Sequence, residues 1–177
     1  RWKARQTEEK PILYIINTSG GGLRSAAFTM NTLQKLDSVF GGQLMRQTIL
    51  ISGASGGMLG AAYFRELYYE KIKGAGINLQ DKQYTDKISR DLLSPLFSSF
   101  VSRDIIGPVQ KFEVNGCQYA KDRGYAFEQK LNENTDGLLR KTLKDYLVPE
   151  ANSDIPTMLF NSMINRDGRK IIVSTHP

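Results

Sequence analysis

Residues 51 to 64 read ISGASGGMLGAAYF, and at their centre Ser55 stands between small residues where an apolar run gives way to a helical pattern. Gly53-Ala54-Ser55-Gly56-Gly57 fits G-x-S-x-G. In that spacing, small neighbours let the chain turn so sharply from strand to helix that the serine hydroxyl projects at the junction. A serine placed there sits at a helix N-terminus, whose positive end favours a developing oxyanion. The bland reading of the same residues is a tight strand-to-helix turn. A second chemistry is a glycine loop that lets the backbone approach a pyrophosphate, as in a dinucleotide-dependent oxidoreductase. That reading expects G-x-x-x-G-x-G on the first strand, whereas here Gly60 arrives one residue late and a complete strand-loop-helix unit precedes the motif. It also expects a Tyr and a Lys four apart, whereas Tyr68 and Lys71 are three apart.

The nucleophile reading gains from an earlier loop, SGGGLRS at 19 to 25. Neighbouring strands of a parallel sheet bring their loops to one edge, so this loop can face Ser55. Consecutive glycine N–H groups can be aimed at an oxyanion with no Cβ in the way, which makes Gly20, Gly21 and Gly22 the candidate donors. Arg24 adds a fixed positive charge for a substrate phosphate. A serine also needs a base. The single histidine is His176, next to the end of the sequence. This points away from a Ser-His-Asp triad and towards a serine activated directly by a carboxylate.

The elements that must hold these residues are legible from pattern. ILYIINT at 12 to 18 is a buried-type strand, followed by the glycine loop and a helix with Phe28, Met30, Leu33, Leu36 and Phe40 as apolar positions. Gly41 and Gly42 end that helix. TILIS at 48 to 52 is a second strand, leading through the Ser55 turn into a helix carrying Leu59, Tyr63, Phe64, Leu67, Tyr68 and Ile72. Two such units predict an α/β fold with a mostly parallel sheet covered by helices. Further on, SPLFSSFV at 94 to 101 predicts a short helix with Ser94 as its cap and Pro95 at its first position. Residues 125–134 and 135–147 predict two more helices, the second capped by Thr135 or Asp136. TMLFNSMI and RKIIVST predict strands joined through NRDG as a hairpin.

The chain has 177 residues, enough for a domain with a real core. Its single cysteine, Cys117, excludes an internal disulfide and a cysteine metal cluster. The net charge of +6 is dispersed along the chain and favours approach to anionic surfaces. RNA-recognition aromatics and zinc-finger spacings are missing, so nucleic acid is not an expected partner. The longest apolar uncharged stretch after the glycine loops, Leu92 to Ser102, has 11 residues, against about 20 for a membrane span. Residues 1–11 are charged, lack the pattern of a secretory signal, and read as a linker or extension. A cytoplasmic or membrane-associated location is expected.

SGGGLRS followed some 30 residues later by ISGASGG resembles the patatin-like phospholipases. The Ser19 start, where plant patatins carry Asp, is more similar to the cytosolic phospholipase A branch. The two motifs lie within residues 12 to 73; DRGYAFEQKL and the strands near IPTMLFNSMINRDGRKIIVS look similar to the family's middle region. The resemblance implies a three-layer α/β/α fold and a Ser-Asp dyad that hydrolyses acyl esters of phospholipids or other lipids, with no cofactor or metal. It makes Ser55 the nucleophile, Gly53 and Gly57 its elbow, Gly21 and Gly22 the main oxyanion donors after Gly20, and Arg24 the phosphate-side arginine. The family's aspartate lies in D-G-G or D-G-A after a later strand, a motif missing here. Asp136-Gly137 and Asp167-Gly168 both have structural reasons to be where they are. The expectation is therefore that residues 12–177 are the N-terminal part of the catalytic domain, with the aspartate beyond Pro177 and Asp167 a second candidate. A catalytically inactive lipid-binding module of the same fold is the alternative. Leu96, Phe97, Phe100, Val101, Ile105 and Ile106 form an apolar stripe that reads either as an ordinary core helix or as an interfacial face.

Overall fold

Tandem strand-loop-helix units open the fold, as the two glycine loops require. The computed structural model describes residues 1–108, 110–114 and 116–176, with the side chains of residues 103, 104 and 106 left aside. Strand β1 (Tyr14–Thr18) leads into helix α1 (Gly22–Val39). A short helix α2 (Leu44–Gln47) then feeds β2 (Thr48–Gly53), which turns into α3 (Ser55–Ile72). With β5 (Thr157–Met163) and β6 (Lys170–Val173) these strands form a four-stranded sheet in the order β1-β2-β5-β6. The first three are mutually parallel and β6 closes antiparallel to β5. The architecture is thus mixed α/β, with a mostly parallel central sheet flanked by helices.

The chain divides into two compact units, Arg1–Ser89 with Leu138–Pro177, and Arg90–Gly137. In the first, α3 is the central helix. It packs on α1 and touches β1, β2 and β5, and Tyr63, Phe64 and Leu67 are fully buried together with Met30, Met45, Ile51 and Met158. Parallel register sets Ile16 beside Ile51 and Ile51 beside Met158 on the face that meets this core. On the other face Ile15 is 62% exposed. Gly60 lets the two helices approach closely, since a Cβ there would overlap the Ala26 carbonyl oxygen.

The middle of α3 also buries charge. Arg65 pairs with Glu150 and donates to the Pro156 carbonyl at 2.9 Å, with its guanidinium 4.4 Å from the Tyr146 ring centroid. Glu66 accepts from Lys141 and, at 2.6 Å, from the Tyr146 hydroxyl. Burial, followed by the Glu66 carboxylate, raises the Tyr146 phenol well above its ordinary value. At the N-terminus, Arg5 pairs with Asp154 at 2.5 Å and its carbonyl accepts from Arg46, which ties residues 1–6 into this unit.

The second unit contains α5 (Leu93–Ser99), which continues as a π-helical turn over Phe100–Ile106, the hairpin β3 (Lys111–Val114) and β4 (Cys117–Ala120), and α6 (Arg123–Asn134). Phe112 packs against Tyr119 and Tyr125, with centroids 5.7 and 4.6 Å apart.

Several local expectations need correction. Phe28 faces outward at 72% exposure, and Leu36 and Ile72 are also exposed. Helix α5 begins at Leu93, two residues early, because the Asp91 carboxylate takes the N–H groups of Leu93 and Ser94, the role expected of Ser94. Residues 135–147 form no continuous helix. Asp136 (φ 55°) and Gly137 (φ 76°) instead terminate α6, with the Gly137 N–H donating to Asn132 O at 2.7 Å, as a left-handed C-cap requires. Two 3-10 turns, Leu138–Arg140 and Leu143–Tyr146, and the short helix α7 (Leu147–Ala151) follow. Helix α4 (Lys82–Ile88) and the β3–β4 hairpin were not anticipated. Of the apolar stripe read either as core or as an interfacial face, Phe97 at 71%, Phe100 at 36%, Val101 at 41% and Ile105 at 64% are exposed, and Leu96 is half-buried; Leu93, outside that stripe, is 64% exposed. The Ile106 side chain and Pro177 lie outside the described residues.

Candidate active site

Ser55 is the first residue of α3 and one of few non-glycine residues with positive φ, at 54°. An L-residue there is strained by about 1–2 kcal/mol, and its surroundings explain how it is held. Gly53 crosses β1 so closely that a Cβ would overlap Thr18 Oγ1 and O. A Cβ on Gly57 would overlap Ser19 O, and one on Gly56 would overlap Gly22 O and lie 2.7 Å from its carbonyl carbon. The two glycine loops are therefore in backbone contact. Every small residue of the turn after Ala54 is needed for that contact or for the turn itself.

Gly20 lies against the serine. A Cβ built on it would be 3.2 Å from Ser55 Cβ and 3.7 Å from Oγ. Gly21 (φ 146°) is the N-cap of α1 and Gly22 (φ 62°) its first residue. Neither α1 nor α3 has a side-chain cap, so the first N–H groups of both helices lack the partner that a capping Ser or Asp supplies. Among the described residues, the Gly20 and Gly21 N–H groups make no hydrogen bond. Ser25, one turn into α1, donates from Oγ to Ser19 O at 2.8 Å and so closes the SGGG loop back on its own helix. Arg24, in the first turn of α1, is exposed.

A cavity of about 680 Å³ opens beside Ser55, lined by Ala54, Asn161, Ser162, Met163, Gly168 and Lys170. Asn161 on β5 donates to Ser52 Oγ at 3.0 Å and to Gly53 O at 3.2 Å, fixing the strand end from which the Ser55 turn departs. Sequence reasoning missed Ser25, Asn161 and Lys170. The signal for Asn161 was a polar residue directly after Phe160 within the strand-like run TMLFNSMI.

Ser55 is exposed, and among the described residues its hydroxyl makes no hydrogen bond. Asp167 sits at the β5–β6 turn, where its carboxylate accepts from Arg169 Nε at 2.8 Å and from the Arg169 backbone at 3.1 Å. Those bonds hold it below its ordinary value of 3.8. It is not among the cavity-lining residues. His176 is exposed, its backbone N–H donating to Ser174 Oγ at 3.3 Å. Among the described residues no three His, Cys, Asp or Glu side chains cluster as a metal site would require.

Comparison with known proteins finds no matching family model and no matching curated relative. Among solved structures, the chain is similar to human GIVD cytosolic phospholipase A2, determined in complex with methyl gamma-linolenyl fluorophosphonate. The two are 13% identical with a TM-score of 0.44, over 99% of this chain and 25% of that one. This chain therefore spans about a quarter of that protein's length.

Proposed function

We propose that this chain carries the nucleophile of a serine acyl hydrolase acting on lipid esters. The observation behind the proposal is Ser55 itself, an exposed hydroxyl at positive φ on a strand-to-helix turn, with Gly20 against it. In this reading Ser55 Oγ attacks the ester carbonyl carbon and gives its proton to an aspartate outside the described residues, completing a Ser-Asp dyad. The oxyanion accepts hydrogen bonds from the glycine loop and the N-terminus of α3, dipoles already oriented before the charge develops. Collapse of the tetrahedral intermediate expels the alcohol, which takes up a proton, and leaves an acyl-Ser55 ester. Water, deprotonated by the same aspartate, then releases the carboxylic acid and regenerates the serine. Gly53 and Gly57 shape the turn, Gly21 and Gly22 supply donors beside Gly20, and Arg24 faces a substrate phosphate.

The exposed stripe on α5 supports a second element of the reading, peripheral contact with a lipid surface. Leu93, Phe97, Val101 and Ile105 recur every fourth residue and are each at least 41% exposed, as an interfacial face requires. Among the described residues no helix is long and apolar enough to cross a membrane.

A fluorophosphonate probe tests the central claim in the full-length protein. Labelling should map to Ser55 and disappear, with ester turnover, in Ser55→Ala. Retained turnover in that variant would refute the nucleophile. Absence of label with retained lipid binding would favour an inactive lipid-binding module.

A further inference from the structure

Among the described residues, Lys170 is the only charged side chain that lines the Ser55 cavity. Its position is set by the sheet. In the antiparallel β5–β6 ladder it is the register partner of Met163, and Met163 shares a strand face with Asn161 two residues earlier. All three line the cavity. The nearest carboxylate in sequence, Asp167, is bonded to Arg169 through side chain and backbone. Among the described residues the Lys170 ammonium has no hydrogen bond or ion pair. An unpaired ammonium therefore borders the space beside Ser55, with Asn161 on the same face of the sheet. Arg24, by contrast, is not among the lining residues.

Building on the acyl-hydrolase reading above, we infer that Lys170 binds an anionic group, a phosphate or a carboxylate, carried by the ester substrate itself, and so selects anionic over neutral esters. An ammonium is a compact point charge with three donors, suited to an anionic group approaching from several directions. The group must be covalently part of the ester for Lys170 to contribute to orientation as well as attraction.

The test uses the full-length protein and two soluble esters sharing one short acyl chain, one with a neutral alcohol and one with that alcohol carrying a phosphate. Both are kept below the concentration at which they aggregate, so attraction to a charged lipid surface plays no part. Lys170→Gln should lower the ratio of kcat/KM for the phosphate-bearing over the neutral ester about tenfold, as expected for loss of one charge-assisted hydrogen bond. The change should lie mainly in KM, shrink as salt is raised, and be largely restored by Lys170→Arg. Arg24→Gln should move the ratio less. An unchanged ratio in a Lys170→Gln protein with unaltered circular dichroism overturns the inference, as does a ratio that falls only in Arg24→Gln. Inorganic phosphate that inhibits neutral-ester turnover and loses that effect in Lys170→Gln, while the ratio stays constant, would mean a free-anion site and also overturn it. Ser55→Ala separates the two claims. Loss of neutral-ester turnover there keeps the nucleophile whatever Lys170 does, whereas no turnover of either ester by the wild type overturns both.

Discussion

Replacing Ser55 by glycine should make the protein more stable while abolishing the ester chemistry proposed for it. The serine holds φ at 54°, which costs an L-residue about 1–2 kcal/mol and a glycine almost nothing. Against this stands the greater freedom of glycine in the unfolded chain, about 0.5–1 kcal/mol. The hydroxyl itself contributes little to set against the gain, since it is exposed and unbonded among the described residues. The net expectation for Ser55→Gly is a gain of about 0.5–1 kcal/mol, equivalent to a rise of about 1–4 °C in Tm for a chain of this size. Ser55→Ala keeps the Cβ and its strain, so it should fall within about 0.5 kcal/mol of wild type.

The order of the two variants is the decisive quantity. Inside an ordinary helix alanine is better than glycine by about 1 kcal/mol, whereas here glycine should be the better residue. Urea denaturation followed by circular dichroism, with wild type and both variants in one buffer, measures the difference directly. Fluorophosphonate labelling should be lost in both. A Ser55→Ala protein as stable as Ser55→Gly, or more so, would refute the claim that backbone strain is stored at this residue.

Gly56→Ala should destabilise by about 3 kcal/mol and remove labelling of Ser55, because the new Cβ overlaps Gly22 backbone that cannot rotate away; denaturation and labelling check both, and a stable, fully labelled variant would refute the close contact. Lys141→Met should cost about 2–3 kcal/mol at neutral pH by removing a cation from buried Glu66 and from Glu70. Burial alone would lower the Lys141 ammonium, but the Glu66 and Glu70 carboxylates raise it above 10.5, so its stabilising contribution is complete below that value and is lost as pH rises through the higher folded value. Lys141, opposed by partial burial, holds Glu70 below 4.5, so that contribution is present above 4.5 and lost as pH falls through the lower folded value. The stability difference between wild type and Lys141→Met should therefore form a plateau that declines at both ends, and a difference constant across the whole range would refute the assignment. Phe97→Asp with Phe100→Asp should weaken binding to anionic liposomes at least tenfold at unchanged fold, since both rings are exposed; sedimentation that is unchanged would remove the interfacial role.

The front of the fold was legible because its signals are local and agree with one another. Two apolar runs, each ending in glycines and followed by a helical pattern, gave β1, α1, β2 and α3 to within about two residues. Beyond residue 90 the pattern failed for identifiable reasons. TDGLLRKTLKDYL reads as a capped helix from its residues after Gly137, yet the left-handed pair Asp136 and Gly137 ends one helix instead of starting another. The four-residue strands β3 and β4 are exposed along most of their length, so no alternation marked them. The α5 stripe carries the apolar periodicity of a core helix, and periodicity cannot tell which side of such a stripe meets protein. At the candidate site, the motif picks out the serine and the glycines that pack around its turn. It could not name Asn161 or Lys170, because those residues arrive through β5 and β6, more than 100 residues later in the chain.

A strained serine persists only if its surroundings leave no relaxed alternative, and here the restraints act at two levels of α3, its N-terminus and its middle. At the N-terminal end, Gly53, Gly56 and Gly57 are wedged against residues 18 to 22, and Asn161 bonds the carbonyl of Gly53. Toward the middle, three turns on, Arg65 and Glu66 tie the helix to Glu150, Pro156, Tyr146 and Lys141. Buried ion pairs of this kind are weak sources of net stability, but they are directional, so they fix the rotation and axial position of the helix in a way that apolar packing alone does not. A helix free to slide or turn by a fraction of an ångström could relax Ser55 toward negative φ and lift Gly56 from Gly22. Disrupting the Arg65–Glu150 pair should therefore reduce labelling of Ser55 more than a core truncation of equal cost in stability, such as Leu67→Ala. Equal labelling in two variants matched for stability would show that the pair contributes only to folding.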